Sequence, residues 1–255
     1  MRLALLSDLH ANRQALSACL EHAQTQGVER HAFLGDLVGY GADPVWVLEQ
    51  VMDWQARGAL VIQGNHDAMA VTPPQGEVSV GSSTADWTHR QLSEVQRRFL
   101  ADLPLTASLE HLLLVHASAD RPETWRYVDS ARTATVCLNA ARARGAWGGA
   151  VASHVVVGHV HHQTLYYQGA GRDLMPFQPT VGVPVPVPPS RACVATVGSV
   201  GQPRDGDPRA MYAVYDLATA RLTFHRVPYD HAAAAAAIRQ AGLPEFFAHR
   251  LETGR

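Results

Sequence analysis

The sequence predicts an α/β fold with one parallel sheet and a second, more antiparallel sheet. In the first seventy residues, short apolar runs alternate with amphipathic segments, which is typical of a parallel sheet with right-handed crossovers. In the second half, apolar runs follow one another closely, which favours antiparallel pairing. Of the 255 residues, 47% are hydrophobic and 17% charged, so the chain can build a packed core. No repeat or linker rich in glycine or serine divides it, and we predict a single domain over residues 1–255.

The first half reads as strand, helix, strand, helix, strand. We predict strands over residues 3–6, 31–34 and 59–62, and helices over residues 12–26 and 45–56. Gly27 ends the first helix, and the second begins with Asp43 as a candidate N-cap and Pro44 at the first helical position.

The second half contains more strands than helices. We predict strands over residues 105–109, 112–115, 155–157, 165–168, 192–197, 212–215 and 222–226, and helices over residues 87–100, 130–144, 232–240 and 244–249. Because these strands are close together in the chain, we assign them to the second sheet. Residues 175–189 hold six of the 15 prolines and are predicted to form an irregular surface segment. The sequence does not decide whether this segment is a lid over a site.

Composition excludes several kinds of protein. The net charge of −2 gives no electrostatic footprint for long nucleic acids or anionic membranes. All 21 basic residues are arginine, which excludes lysine Schiff bases and the P-loop lysine. Cys19, Cys137 and Cys193 are far apart, which argues against a disulfide framework or a thiolate zinc site. The N-terminal apolar run is too short for a signal segment, no stretch is long enough to span a membrane, and we expect a cytoplasmic protein.

Polar side chains that can bind a metal follow five of the predicted strands. They are Asp8 and His10 after the first strand, Asp36 after the second, Asn65, His66 and Asp67 after the third, His116 after residues 112–115, and His159, His161 and His162 after residues 155–157. The carboxyl ends of parallel strands open on one edge of a sheet, where sites of α/β proteins form. We therefore expect these clusters to converge.

Carboxylate, imidazole and amide ligands together suit a pair of divalent cations. An aspartate can bridge two cations, and neutral histidine and asparagine ligands leave the cations enough positive charge to polarise a phosphoryl oxygen. His159 and His161 would point to opposite faces of a flat strand. They can share a site only if Gly158 lets the chain turn, or else they serve different ions.

The ordered motifs resemble those of the calcineurin-like metallophosphoesterase superfamily. The matching motifs are Asp8-x-His10, Gly35-Asp36, Gly64-Asn65-His66-Asp67, His116 and Gly158-His159-x-His161. The segment from Val197 to Arg204 is similar to the bacterial YfcE/MJ0936-type phosphodiesterase branch. The resemblance implies a four-layer sandwich of two facing mixed β-sheets flanked by helices.

The resemblance also implies a role for each site residue. One metal would be held by Asp8, His10 and His161, the other by Asn65, His116 and His159, with Asp36 bridging both. His66 would protonate the leaving oxygen or steady the transition-state charge, oriented by Asp67 or Asp36. Without a thiolate, this nitrogen and oxygen ligand set suits manganese, iron, cobalt, nickel or zinc, and we prefer manganese or iron.

We therefore predict an enzyme, a metal-dependent hydrolase of phosphodiester or nucleotide-type substrates that acts by in-line attack of a metal-bridging hydroxide. The partner is a small phosphorylated substrate, with no long nucleic acid and no membrane.

Candidate substrate contacts, each with a packing role as the alternative, are Tyr40, Arg121, Trp125, His162 and Arg204. The superfamily's protein phosphatases often carry an arginine after the bridging aspartate, where this chain has Leu37. Phosphomonoesterase, phosphoprotein phosphatase and dinucleoside polyphosphate phosphatase activities are the alternatives on the same site, and a non-catalytic partner-binding scaffold is the alternative of another class.

Overall fold

The computed structural model describes residues 1–76, 79–143, 146–147, 150–169 and 173–255. Its elements, in chain order, are β1 (Arg2–Leu6), α1 (Arg13–Thr25), β2 (Arg30–Phe33), α2 (Pro44–Ala56), β3 (Leu60–Val61), α3 (Asn65–Val71), α4 (Ala85–Gln91), α5 (Glu94–Ala101), β4 (Thr106–Leu109), β5 (Leu112–Val115), a 3-10 turn (Pro122–Thr124), α6 (Ala131–Ala143), β6 (Ala146–Trp147), β7 (Ala150–Val151), β8 (His154–Val157), β9 (Gln163–Gln168), β10 (Leu174–Phe177), β11 (Val185–Pro186), β12 (Cys193–Val197), β13 (Ala210–Asp216), β14 (Arg221–Val227), α7 (His231–Gln240) and α8 (Glu245–Thr253).

The strands form two six-stranded mixed sheets and a small hairpin of β6 and β7. Sheet one has the order β11-β14-β13-β1-β2-β3, in which β1, β2 and β3 are parallel and β13 pairs antiparallel with β1. Sheet two has the order β10-β9-β12-β8-β5-β4, in which β5, β8 and β12 are parallel. Each sheet therefore has a parallel centre with antiparallel strands beside it.

The two sheets face each other across a shared apolar core. Leu3 and Leu5 of β1 belong to the same buried cluster as Leu112 and Leu114 of β5 and Val156 of β8. The outer face of sheet one packs against α1 and α2, and the outer face of sheet two packs against α6. The order of layers is helix, sheet, sheet, helix, which confirms the predicted sandwich of two facing mixed sheets.

The assignment of the last two predicted strands to the second sheet was wrong. β13 and β14 belong to sheet one, because β13 pairs antiparallel with β1 along four residues, from Arg2 opposite Asp216 to Leu5 opposite Ala213. Short spacing along the chain indicated that these strands pair with each other but did not indicate which sheet they join.

Two predicted segments also differ from the structure. The predicted helix over residues 87–100 is two helices, α4 and α5, because Ser93 starts a new helix with a capping box. Ser93 Oγ accepts from Gln96 N, and Ser93 N donates to Gln96 Oε1 at 2.9 Å. The proline-rich segment supplies the edge strands β10 and β11 of the two sheets, where a missing N–H is tolerated. The predicted end of the helix over residues 130–144, Arg144, lies outside the described residues.

The three cysteines are buried and unpaired. Among the described residues, no helix combines the length and the apolar character needed to cross a membrane.

Candidate metal centre

The polar clusters predicted from the sequence lie together at one edge of the sandwich. They follow the carboxyl ends of β1, β2, β3, β5 and β8, which belong to the parallel parts of the two sheets. Within them, three groups of side chains bring their ligand atoms within 4.8 Å of one another: Asp8, His10 and His161; His10, Asp36 and His66; and Asp36, His116 and His159. Every member is buried.

The first group joins the ends of β1 and β8. His161 Nε2 lies 3.1 Å from Asp8 Oδ1 and 3.2 Å from His10 Nε2. His10 Nε2 lies 3.8 Å from the same aspartate oxygen. The three side chains thus aim one oxygen and two nitrogens at a common point.

The second group joins the ends of β2, β5 and β8 with the start of α3. His116 Nε2 lies 3.3 Å from Asp36 Oδ2, and 3.2 Å from both Asn65 Oδ1 and His159 Nδ1. Asp36 Oδ2 also lies 3.8 Å from His10 Nε2 of the first group. Asp36 Oδ2 therefore stands between the two groups, within 4 Å of a histidine nitrogen of each.

Backbone carbonyls fix the tautomer of three of these histidines. The Nδ1 atoms of His10, His116 and His161 lie 3.3, 2.7 and 2.5 Å from the carbonyl oxygens of Val38, Leu34 and Gln202. A carbonyl oxygen only accepts, so each Nδ1 carries the proton and donates it. Metal-binding histidines usually donate their second nitrogen in this way, which leaves the lone pair of Nε2 free for a cation.

The ligand atoms of the centre are better suited to bind metal ions than to hydrogen-bond with one another. His10 Nε2 and His161 Nε2 face each other at 3.2 Å, and a hydrogen bond between them would need a proton beyond the one that each Nδ1 already donates to a carbonyl. Asp8 Oδ1 is buried and has no hydrogen-bond partner among the described residues. Unpartnered buried polar atoms are rare in folded proteins, and a cation among them would satisfy the aspartate oxygen and the imidazole lone pairs.

The aspartates and histidines perturb one another's pKa values strongly. Burial by itself would raise the pKa of Asp36, but the nearby His116 and His66 hold it well below its usual value. Burial likewise opposes the charged form of His116, yet the adjacent Asp36 raises the pKa of His116 to about 9. A bound cation would replace the proton of this pair, so protons and metal compete for the centre.

Several ligand residues occupy left-handed backbone conformations. Asp8, His10, Asp36, His159 and His161 have φ values between 47° and 64°. Such conformations are uncommon for residues other than glycine, and they cluster at functional sites where the surrounding structure enforces them. Here they turn successive side chains of a short loop towards one centre.

This backbone geometry answers the question raised by the spacing of His159 and His161. The turn is made by the two histidines themselves, with φ of 64° and 58°, and their side chains join different groups. Gly158 is required for another reason, because a Cβ there would lie 1.8 Å from Ser7 Oγ and 2.5 Å from Asp8 Oδ2. The glycine lets the end of β8 approach the end of β1.

The loop after β12 supports the first group. Ser199 Oγ donates to the carbonyl oxygen of Asp8 at 2.8 Å, and Gly201 N donates to the same oxygen at 2.9 Å. Gln202 supplies the carbonyl that orients His161. The glycine-rich segment singled out in the sequence therefore holds two of the ligand residues in place.

His66 and Asp67 have separate roles. Asp36 Oδ1 accepts from His66 N at 2.8 Å, and the His66 ring lies 4.3 Å from the Tyr40 ring and 5.1 Å from the His10 ring. The Asp67 carboxylate accepts from the backbone N–H groups of Leu37, Val38 and Gly64 at 2.8, 3.2 and 2.9 Å. Asp67 thus ties the loop after β2 to α3, whereas Asp36 Oδ1 contacts the backbone N–H of His66 and not its ring.

A cleft of about 200 Å³ opens over the centre. Its lining includes Asp36, Asn65, His66, His159 and His161 from the centre, Tyr40 and Arg204 from the predicted substrate residues, and Met69, Ser79, Gly81, Ser82 and Tyr127. The residues of the proline-rich segment 175–189 are absent from this lining, which gives no support to a lid role for that segment.

The other three predicted substrate residues lie outside the cleft lining. Trp125 packs against His116, with ring centres 5.9 Å apart, whereas Arg121 and His162 are exposed. Sequence reasoning missed Tyr127, which stacks on His159 at 4.2 Å. It also missed the 79–82 segment, whose serines and glycine carry no signal that separates them from an ordinary loop.

The chain is similar to known phosphoesterases over most or all of its length. The family model described as the calcineurin-like phosphoesterase superfamily domain matches residues 1–220. The crystal structure of a metallophosphoesterase from Sphaerobacter thermophilus is 33% identical, with a TM-score of 0.85 over 100% of this chain and 99% of that one.

Two archaeal proteins are similar over the same span. The crystal structure of hypothetical protein PH1004 from Pyrococcus horikoshii OT3 has a TM-score of 0.76 at 19% identity, over 100% of this chain and 98% of that one. Uncharacterized protein MJ0912 of Methanocaldococcus jannaschii is 28% identical over 259 residues, which are 99% of this chain and 98% of that protein.

Proposed function

Because this chain belongs to the calcineurin-like phosphoesterase superfamily, we propose that it is a phosphoesterase that uses two divalent metal ions to hydrolyse phosphodiester or nucleotide-type substrates. The observation that supports two ions rather than one is the position of Asp36 between two groups of donors. Asp8, His10 and His161 would hold one ion and Asn65, His116 and His159 the other, with Asp36 shared. Manganese or iron suits this ligand set best.

Two bound cations would supply Lewis-acid polarisation of the phosphoryl oxygens and a more acidic water. The protein's own part is to position the reacting groups. The buried ligand residues are locked by backbone hydrogen bonds, so the centre needs little reorganisation during the reaction. The reaction is in-line attack of water-derived oxygen on phosphorus, with no phospho-enzyme.

His66 is the candidate acid of the cleft. Its backbone is fixed by Asp36, and its ring is packed between Tyr40 and His10 at the cleft wall. From this place it would protonate the leaving oxygen or stabilise the transition-state charge through its N–H. Tyr40 and Arg204, which line the same cleft, would contact the substrate.

The test is hydrolysis of bis-p-nitrophenyl phosphate and p-nitrophenyl phosphate by the metal-depleted protein, with and without added Mn²⁺. We expect turnover that requires the metal, is abolished by EDTA and favours the diester. Preference for the monoester would move the assignment to a phosphomonoesterase. Failure to turn over either compound with manganese, iron, cobalt, nickel or zinc would contradict the proposed function and favour a non-catalytic scaffold.

A further inference from the structure

Two arginines share one acceptor at the wall of the cleft, which Arg204 lines and Arg250 does not. Arg204 lines the cleft and donates from Nη2 to Gln202 Oε1 at 3.0 Å. Arg250 of α8 donates from Nη1 to the same oxygen at 3.3 Å. The Nε atoms of both arginines are buried and find no hydrogen-bond partner among the residues that the structure describes. Within the described part of the chain, neither guanidinium forms an ion pair.

Some arginines elsewhere in the chain pair with carboxylates, whereas these two lie beside each other and donate to one shared neutral acceptor. Arg226, for example, pairs with Asp205, and Arg239 pairs with Glu245 and Glu252. At the cleft, burial and then the positive charge of Arg204 lower the pKa of Arg250. Arg204 also lies 5.9 Å from the Tyr40 ring centre and Arg250 lies 4.3 Å from that of Phe246. These partners are neutral, so two half-buried positive charges still repel each other, and an anion beside them would relieve the repulsion.

Arg250 comes from a part of the chain beyond the matched superfamily domain. That match ends at residue 220, whereas α7 and α8 follow it. Phe247 of α8 stacks on Tyr40 with ring centres 4.7 Å apart, and Tyr40 in turn lies 4.3 Å from the His66 ring. Helix α8 therefore packs behind Tyr40 through Phe247 and reaches the acceptor of Arg204 through Arg250.

The charge of the centre indicates what this wall would bind. Two divalent cations and the carboxylates of Asp8 and Asp36 carry a net charge of about +2, which a monoanionic phosphodiester and a hydroxide nucleophile would balance. The positive charges of Arg204 and Arg250 are not included in this sum and stay without a counter-charge. Arginine binds phosphate oxygens through several N–H groups at once, so a second phosphate is a suitable counter-charge.

We propose that Arg204 binds a second phosphate of the substrate beside the one that is hydrolysed, and that Arg250 positions Arg204 through their shared acceptor on Gln202. The substrate class is then an ester of a diphosphate or longer polyphosphate. The proposal rests on the proposed phosphoesterase function, and it makes Arg204 a specificity residue and Arg250 a positioning residue.

The kinetic test compares the p-nitrophenyl esters of AMP and ADP, which differ by one phosphate. In the Mn²⁺-loaded enzyme, we expect Arg204→Gln to lower the ratio of kcat/KM for the ADP ester to that for the AMP ester by about tenfold or more, mainly through KM, since a charge-assisted contact is lost. Arg250→Gln should lower the same ratio by a smaller factor. Arg57→Gln removes an equal charge from the far end of α2 and should leave the ratio unchanged.

A binding test does not depend on metal or turnover. Methylenediphosphonate, added to the metal-free protein, should raise the unfolding temperature more than methylphosphonate does. This difference should persist in Arg57→Gln and disappear in Arg204→Gln. Arg204→Lys keeps the charge and should retain part of the difference, which separates a lost contact from a damaged fold.

The outcomes separate the two proposals. Equal responses of wild type and Arg204→Gln to methylenediphosphonate, or an unchanged kinetic ratio, would overturn the second-phosphate site while leaving the phosphoesterase in place. An equal fall in kcat/KM for the AMP ester and the ADP ester in Arg204→Gln would also overturn it, because Arg204 would then contact the phosphate that is hydrolysed. Absence of turnover in the wild type would contradict the proposed function, and the binding test would still decide the role of Arg204.

Discussion

At the scale of single residues, the centre depends on histidines and an aspartate that use one polar atom for a hydrogen bond to the backbone and turn the other polar atom towards the centre. His116 donates from Nδ1 to the Leu34 carbonyl, and His161 donates to that of Gln202. Asp8 Oδ2 accepts from His159 N at 2.9 Å, which leaves Oδ1 without a partner. This arrangement turns one carboxylate oxygen and two ring nitrogens towards the shared centre of Asp8, His10 and His161.

Asp36→Asn tests the residue that stands between the two groups. The amide keeps the shape of the side chain and an oxygen that can accept from His66 N, but it removes the negative charge that two cations would share. We expect kcat/KM to fall by about a thousandfold, the order of loss found when one strong electrostatic contact of a site is removed. Metal content should fall with it.

The matched control is Asp53→Asn, which changes an exposed aspartate on α2 that pairs with Arg57. Activity and metal content of this control should equal those of the wild type. Retention of full activity by Asp36→Asn would contradict the shared role of Asp36.

The sequence predicted the residues of the centre better than the residues of the cleft. Asp8, Asp36 and His116 each end an apolar run, and the ends of parallel strands meet at one edge whatever the detailed packing. Tyr127 could not be separated from other loop aromatics, because its place on His159 depends on the path of the loop after β5. Arg250 could not be foreseen either, because the packing of α8 on Tyr40 is a contact between distant parts of the chain.

At the scale of elements, the centre requires the ends of β1 and β8 to meet closely across the two sheets. Gly158→Ala tests this approach, because the added Cβ would lie 1.8 Å from Ser7 Oγ. Backbone or side chains must shift to make room, and we expect the free energy of unfolding to fall by about 1–3 kcal/mol, as in other overpacked sites. Metal content should fall too, since Asp8 is next to the clash.

Gly182→Ala is the control for Gly158→Ala. Gly182 has a φ of 76° and no atom within 4 Å of its added Cβ, so the change introduces backbone strain without a clash. This variant should be mildly less stable and should keep its metal. Equal metal content in the two variants would contradict the requirement for close approach.

A buried histidine links the sheets and gives the fold a dependence on pH. His154 Nδ1 of β8 lies 3.1 Å from the hydroxyl of Tyr215 in β13, and its Nε2 lies 3.1 Å from the Arg191 carbonyl. Burial lowers the pKa of His154 to about 4, below its ordinary value of 6.5. The unfolded chain therefore binds more protons than the folded protein between these two values.

We expect the stability that His154 contributes to be complete above pH 6.5 and to be lost as the pH falls from 6.5 towards 4. The loss should approach about 1.4 kcal/mol per pH unit while the proton is taken up. Chemical denaturation of the metal-free protein across this interval measures it. His154→Gln should flatten the slope and the exposed His249→Gln should not, and equal slopes in all three proteins would contradict the assignment.

Helices and strands could be predicted from the sequence only where one local signal dominates. The capping box at Ser93 was present in the sequence, but the apolar spacing of residues 87–100 continued across it and predicted one helix. The pairing of β13 with β1 could not be predicted, because contacts between distant strands depend on the whole sheet. The edge strands β10 and β11 carry prolines, and a short strand with proline has no local signal that separates it from a loop.

At the scale of the whole molecule, the candidate metal centre lies where the two sheets open onto one edge, and the residues that could bind metal come from both. Asp8, Asp36 and Asn65 follow strands of sheet one, whereas His116 and His159 follow strands of sheet two. Bound cations would therefore hold the two sheets together as well as serve the reaction.

Metal binding should stabilise the whole fold for this reason. A ligand that binds the folded state alone stabilises it by about 4 kcal/mol when present at a thousand times its dissociation constant. We expect EDTA to lower the unfolding temperature and Mn²⁺ to restore it, with no such response in Asp36→Asn. An unfolding temperature that is the same with EDTA and with Mn²⁺ would contradict this prediction.

The most direct test of the account is anomalous diffraction from crystals of the protein grown with Mn²⁺. We predict two anomalous peaks, one among Asp8, His10 and His161 and the other among Asn65, His116 and His159, with the Asp36 carboxylate between them. A centre without a peak, or one peak with Asp36 turned away from it, would contradict the central claim.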